Sequence, residues 1–214
     1  MSDKFKVNEI FYSLDGEGER AGYPSVFIRL SGCNLRCNYC DTIYAFDEGR
    51  YMSTLEIEEM VNKFNCKNIT LTGGEPLLQK NVLNLIASLY SKGYEIVIET
   101  NGSVDIRDAQ HYAVICMDWK TRSSGVSDKM LMDNLSYLKD SDILKIVVRD
   151  EDLADVEKLL DEYPIKASVY LSPVFGEIEL PKLAHFVMDY KGTKRVKMQL
   201  QMHKYIWNPD ERGV

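Results

Sequence analysis

Apolar residues along the chain gather in short runs of four to seven residues, and between the runs they recur at helical spacing. Val7–Ser13 alternates as a short strand. Ser25–Leu30, Asn68–Leu71, Tyr94–Glu99, Ala113–Met117, Asp142–Val148 and Ser168–Leu171 read as strands in succession, with Val196–Leu200 the last. Ser53 and Glu56 have the spacing of a capping box, opening a helix that reaches to about Phe64. Pro76 opens a second helix to about Ser91, closed by Gly93. Glu151–Tyr163 and Glu179–Tyr190 are amphipathic and predict two more. Apolar strands alternating with helices indicate parallel βα units, too few for a closed eightfold barrel. The predicted architecture is α/β, an open, partial (β/α)6-type barrel of about six strands, in a single domain over residues 1–214.

Polar residues interrupt this pattern mostly where strands end. Thr72 and Gly74, Asn101, Asp118 and Lys120, and Ser172 each follow an apolar run, as do three cysteines after Leu30. In parallel α/β folds the carboxyl edge of the sheet is where ligands bind. Five such strand ends around one sheet predict a single large site. Lys145 breaks a run in mid-strand and reads as a plug of the barrel interior beside Glu99.

Composition narrows the class. Hydrophobic residues make up 45% and charged residues 28%, ordinary for a globular protein of 214 residues. A net charge of −7 argues against a general nucleic-acid binder. No apolar run approaches a membrane span, and Met1–Lys6 lacks the apolar core of a signal peptide. Five cysteines, three of them crowded together, do not form a secreted disulfide framework, so a reduced cytoplasm is expected. Cys66 and Cys116 sit in apolar surroundings as packed thiols.

The densest chemistry lies in Ser31–Thr42, where Cys33, Cys37 and Cys40 are spaced x3 then x2. A structural zinc site closes with four protein ligands, and a [4Fe–4S] cluster ordinarily takes four thiolates. Three would leave one iron free for a small molecule, and Tyr39 suits a cofactor lying over the loop. The alternative is a zinc knuckle completed by His111, His185, His203, Cys66 or Cys116, none of which has zinc-ribbon spacing. Arg29 stands just before this loop, where it needs either a structural carboxylate or a substrate carboxylate. The turn Ser13–Glu19 is dense in glycine and acid, either a wet surface loop or one that brings bare backbone to a ligand. Gly73 and Gly74 expose backbone N–H and C=O groups at a strand end. The tail Gln201–Pro209 is either a surface cap or a flap folded over the strand ends.

The CxxxCxxC loop with Tyr39 resembles the signature of the radical S-adenosylmethionine (SAM) superfamily. Further motifs resemble the 7-carboxy-7-deazaguanine synthase family within it. They are the Ser-Leu-x-Gly-Glu-Gly opening at Ser13–Gly18, Arg29, Gly32–Thr42, Thr72–Pro76, Glu99–Gly102 and His203–Tyr205. The resemblance implies an enzyme that converts 6-carboxy-5,6,7,8-tetrahydropterin to 7-carboxy-7-deazaguanine and ammonia, in queuosine and deazapurine biosynthesis. It implies a [4Fe–4S] cluster reduced by a flavodoxin or ferredoxin, SAM as radical source, Mg2+, and homodimers. The radical forms on SAM, so no catalytic side chain is implied. By the same resemblance, Cys33, Cys37 and Cys40 hold the cluster and Thr42 supplies a hydroxyl to Mg2+. Tyr39, Cys40, Asp41, Gly74, Asp118, Trp119, Lys120 and Ser172 contact SAM. Leu14, Asp15, Gly16, Arg29, Thr72, His203 and Pro209 hold the pterin. The family carries Gln where this chain has Asp15, and residues 210–214 extend past the family's usual close. The rivals are a glycyl-radical-enzyme activase, which shares the cysteine loop, and a non-enzymatic iron–sulfur electron carrier.

Overall fold

The computed structural model describes residues 3–214. Nine strands form one open sheet: β1 (Lys4–Leu14), β2 (Pro24–Leu30), β3 (Arg50–Ser53), β4 (Asn68–Gly73), β5 (Glu95–Thr100), β6 (Val114–Trp119), β7 (Ile143–Val148), β8 (Ser168–Pro173) and β9 (Val196–Met198). Their order is β3-β1-β2-β4-β5-β6-β7-β8-β9. The strands β2 and β4 to β9 run parallel, while β1 and β3 add antiparallel at one edge. The open (β/α) barrel is therefore as expected, with seven parallel strands rather than about six. β3 went unread because it is four residues long, with Arg50 and Tyr51 exposed. The longer helices are α1 (Thr54–Asn62), α2 (Val82–Ser91), α4 (Leu153–Glu162) and α5 (Leu180–Asp189); α3 (Asn134–Tyr137) and α6 (His203–Ile206) are single turns.

The capping box of α1 forms: the Ser53 hydroxyl accepts from Glu56 N, and Glu56 Oε2 accepts from Ser53 N. The helix expected from Pro76 to Ser91 does not run through. A 3-10 turn covers Pro76–Leu78, and α2 begins only at Val82, after Asn81 at φ 62°. The reason is Gln79. Its Oε1 accepts from Lys6 N at 2.9 Å, and its Nε2 donates to the carbonyls of Lys6 and Ser31 at 2.8 and 3.0 Å. That amide acts as a strand partner for β1, and a helix through it would break all three bonds.

Residues in register across a sheet share a face. The row Ile28–Leu71–Ile98–Ile115 and the row Met117–Leu144–Val169 are fully buried on the face covered by helices. Each side chain there stabilises the fold by roughly 1.5–3 kcal/mol. The opposite, concave face is polar in its upper rows: Arg29 beside Thr72, then Glu99–Cys116, then Asp118–Lys145–Tyr170. Cys116 and Tyr170 of these rows pack with Ile143 and Val97 as a small apolar floor. Cys116 is buried as expected; Cys66 is half-buried, with its thiol on the Pro24 carbonyl.

At the carboxyl edge, β4 is tied to the cysteine loop by backbone. Gly74 N donates to Leu30 O at 3.1 Å and Glu75 N to Gly32 O at 2.8 Å. Gly73 has φ 151°, and a Cβ there would fall on the Leu30 carbonyl; one on Gly74 would fall on the Gly32 carbonyl, 2.7 Å from Cys33 Cβ. The N–H of Gly74 is thus spent on the neighbouring strand end rather than held for a ligand. Glu75, fully buried, accepts from Asn101 N at 2.6 Å, Leu77 N at 3.0 Å and the Thr100 hydroxyl at 2.9 Å. Burial, against these bonds, pushes its carboxyl up to about 7. Glu75→Ala strands three buried donors and is expected to lower stability by about 2–4 kcal/mol, read by denaturant unfolding.

Candidate active site

The carboxyl edge and the concave face enclose one cavity. The cysteine loop forms one side. Cys33, Cys37 and Cys40 are free, half-buried and all on the cavity wall. Cys33 Sγ accepts from Leu35 N at 3.4 Å and Asn101 Nδ2 at 3.7 Å. Such N–H donors fit a sulfur ligand. Burial pushes the free Cys37 and Cys40 thiols above their ordinary range. A [4Fe–4S] cube takes one thiolate per iron, so its three ligands need not meet at one point. Among the described residues no three His, Cys, Asp or Glu side chains do meet at one metal position. Three free cysteines lining one cavity fit such a cube.

Next to the thiols, Tyr39, Asp41, Thr42, Gly74, Asp118 and Lys120 line the same space. Tyr39 reaches the Val147 carbonyl at 3.4 Å, and burial raises its phenol to about 12. Asp41 is paired with Lys204 at 2.8 Å and accepts from the Thr42 hydroxyl at 2.9 Å. Burial alone would raise the Asp41 carboxyl, but the Lys204 ammonium outweighs it and holds it well below the usual range. Lys120 pairs with Asp118 at 2.9 Å, so both stay charged although burial opposes it. Two expected members of this set lie elsewhere. Trp119 alternates to the helix-covered face and packs in the core. Ser172 is fully buried off the cavity wall, its hydroxyl without a partner.

The residues expected to hold substrate line the same cavity: Leu14, Asp15, Gly16, Arg29 and Thr72, with His203 and Pro209 from the tail. Arg29 finds the structural carboxylate of its first reading. Its Nε donates to Glu9 Oε1 at 2.8 Å, and its Nη groups make no hydrogen bond among the described residues. The guanidinium lies 5.9 Å from the Phe11 ring and 5.8 Å from the Tyr44 ring. Tyr44 in turn donates to the same Glu9 oxygen at 3.1 Å. The Thr72 hydroxyl donates to Glu99 Oε2 at 2.8 Å.

The opening turn is not a wet surface loop. Asp15 is 4% exposed and accepts from the Thr70 hydroxyl at 2.9 Å. Burial, with Glu99 nearby, pushes its carboxyl up to about 7. Glu17 is buried on Lys145, and Gly18 exchanges two hydrogen bonds with the Gln199 side chain. Lys145 does plug the interior, but its partners are Glu17 at 2.8 Å and Asp118 at 3.5 Å. The tail folds over the strand ends, as the second of its two readings had it. Met202 N donates to Gly16 O at 3.0 Å, and a side chain on Gly16 would run into the His203 ring. Burial lowers the His203 pKa, so the ring is neutral near pH 7. The extension beyond Pro209 continues the wall: Asp210, Glu211, Gly213 and Val214 line the cavity, while Arg212 stacks 3.7 Å from Tyr44 and pairs with Glu48 at 2.9 Å. Phe11 and Phe27, stacked at 4.9 Å, also line the wall; alternation in their strands is the signal that marks them.

Comparison with known proteins agrees with this geometry. The Radical SAM superfamily profile matches residues 27–119, from β2 to the end of β6. The chain is 40% identical to the 7-carboxy-7-deazaguanine synthase of Clostridium acetobutylicum, over 98% of this chain and 99% of that one. It is 41% identical to that of Methanospirillum hungatei, over 98% and 88%. The crystal structure of QueE from Escherichia coli superposes with a TM-score of 0.73 at 22% identity, covering 92% of this chain and 94% of that one. The fold and the cysteine-lined cavity are those of the radical SAM class. Within that class the chain belongs to the 7-carboxy-7-deazaguanine synthase family.

Asp15 gives a pH signature. Its folded pKa lies above the unfolded value near 4, so its contribution to stability is full below that value and is lost as pH rises toward 7. Asp15→Asn lacks this dependence. The stability gap between parent and variant is expected to narrow by roughly 1–3 kcal/mol from pH 5 to pH 8 in urea titrations. A gap constant with pH would place the proton elsewhere.

Proposed function

We propose that this chain converts 6-carboxy-5,6,7,8-tetrahydropterin to 7-carboxy-7-deazaguanine with loss of ammonia; the product is the one its relatives are named for. The observation that carries the reading is one cavity lined by both the three cysteines and Arg29. Cys33, Cys37 and Cys40 would hold a [4Fe–4S] cluster and leave its fourth iron to SAM. When bound, that pair supplies a 5′-deoxyadenosyl radical, the agent that takes hydrogen from the pterin C6.

The chain's own residues do the binding and orienting. Tyr39, Asp41, Gly74, Asp118 and Lys120 surround SAM, Trp119 contributing through its backbone alone; Ser172 drops out of the set. Arg29, held by Glu9, directs its free Nη groups at the substrate carboxylate. Asp15, with a pKa near 7, keeps its proton part of the time, so it both donates to and accepts from the pyrimidine edge. That answers for the Gln it replaces. Leu14, Gly16 and Thr72 line the pterin, and neutral His203 and Pro209 close over it. Thr42 offers a hydroxyl to Mg2+, a hard cation suited to oxygen ligands and water. The enclosing tail supports a small substrate over the protein backbone of an activase. A flavodoxin or ferredoxin in a reducing cytoplasm is the proposed electron donor, to a single-domain chain that pairs as a homodimer. Among the described residues no helix is long and apolar enough to cross a membrane.

The test is anaerobic reconstitution with iron and sulfide, then SAM, Mg2+, reductant and the carboxypterin, with products read by mass spectrometry. A deazaguanine carboxylate without net loss of SAM is expected; SAM cleavage without it would move the substrate. Arg29→Ala should keep the cluster and SAM cleavage but lower pterin kcat/KM by roughly 10- to 150-fold, the equivalent of about 1.5–3 kcal/mol. Thr42→Ala should blunt the activation by Mg2+, and an unchanged Mg2+ titration would assign the metal to other ligands.

A further inference from the structure

The buried charges beneath the cavity form a single chain across it. Glu17 Oε2 meets Lys145 Nζ at 2.8 Å, Lys145 Nζ meets Asp118 Oδ2 at 3.5 Å, and the same Asp118 oxygen meets Lys120 Nζ at 2.9 Å. Lys120 Nζ lies 5.9 Å from the centre of the Tyr39 ring in the cysteine loop. One end of this chain is the turn bearing Leu14, Asp15 and Gly16; the other is the loop bearing the three thiols.

Lys145 is its only link between the two sides. The side chains of Glu17 and Lys145 are 9% and 8% exposed. Glu17 Oε1 and Asp118 Oδ1 are buried with no hydrogen-bond partner among the described residues. Each carboxylate is therefore fixed through one oxygen, and for Glu17 that oxygen has Lys145 as its sole cation. A buried carboxylate that loses its one cation has to move or take up a proton. Nothing else on the turn reaches β6 or β7 by a side-chain ion pair, since Glu19 goes to Tyr170 and Lys197 and Arg20 to the carbonyls of Ile69 and Glu95. Asp118 and the turn thus share one ammonium, the charge that joins them.

We propose that Lys145 is a positioning residue that couples the two ligand sites, so that SAM and the carboxypterin each tighten the binding of the other. This rests on the SAM and pterin roles proposed above. A ligand that seats Asp118 and Lys120 fixes Lys145, and Lys145 fixes Glu17 and the pterin turn. By linkage the effect is reciprocal and equal in both directions.

The test measures SAM dissociation constants anaerobically, by calorimetry on the cluster-loaded protein, with and without saturating carboxypterin. The parent should show a coupling factor of about five-fold or more. Lys145→Met should bring the factor toward one while iron content is unchanged. Glu17→Gln, nearly isosteric, cuts the chain at its other end and leaves Lys145 on Asp118, so it serves if the first variant does not fold. It should leave SAM affinity without pterin unchanged and abolish the tightening. A structural role alone would lower the melting temperature and leave the factor intact. A parent factor near one, or a full factor in either folded variant, overturns the proposal. Failure of the parent to bind the carboxypterin at all overturns the substrate reading and this inference with it, an outcome distinct from loss of coupling alone.

Discussion

The close approach of the Gly73–Gly74 backbone to the end of β2 is the constraint on which the site depends. Two backbone hydrogen bonds and the absence of two Cβ atoms bring the β4 end against the first residues of the cysteine loop. Glu75, the next residue, then fastens the end of β5 through Asn101 and Thr100. Three strand ends are thereby fixed relative to one another by three consecutive residues, the last a buried carboxylate. Asn101, placed by that fastening, donates to Cys33 Sγ. The geometry around the first thiol is thus inherited from a turn forty residues further along the chain.

The sheet divides labour between its faces. The helix-covered face is uniformly apolar and supplies stability through area. The concave face concentrates charge in mutually paired groups, Arg29 with Glu9, Lys120 and Lys145 with Asp118, and Lys145 with Glu17. Buried ion pairs contribute little net stability, because desolvation offsets attraction. Their presence beneath a cavity is better understood as orientation: each fixes the angle of a side chain that faces the ligands. Tyr44 extends the scheme upward, its ring lying between the guanidinium of Arg29 and that of Arg212.

What the sequence made legible is what depends on near neighbours. The cysteine spacing, the capping box at Ser53 and the βα alternation are local and were readable directly. The tail over the site, and the place of Arg29, Asp15 and Thr72 in one cavity, came through family resemblance rather than through pattern. Long-range partners were invisible. Gln79 ends a helix because it reaches residues 6 and 31. Glu17 looks like a solvated acid, and is buried because Lys145 stands 128 positions away. Family resemblance assigns Asp118, Trp119 and Lys120 to one ligand. Period-two alternation separates them into two residues that face the cavity and one that faces the core. The missed strand β3 carries no periodic signal and exists through its pairing with β1.

The wall contributed by His203, Pro209 and Val214 comes last in the chain, while Cys33, Cys37 and Cys40 come near its beginning. Synthesis therefore delivers the parts of the site in a fixed order. A chain emerging from the ribosome displays its three thiols, and the strands that hold them, before any residue exists to cover them. The tail that shares the cavity with the thiols is thus made long after them.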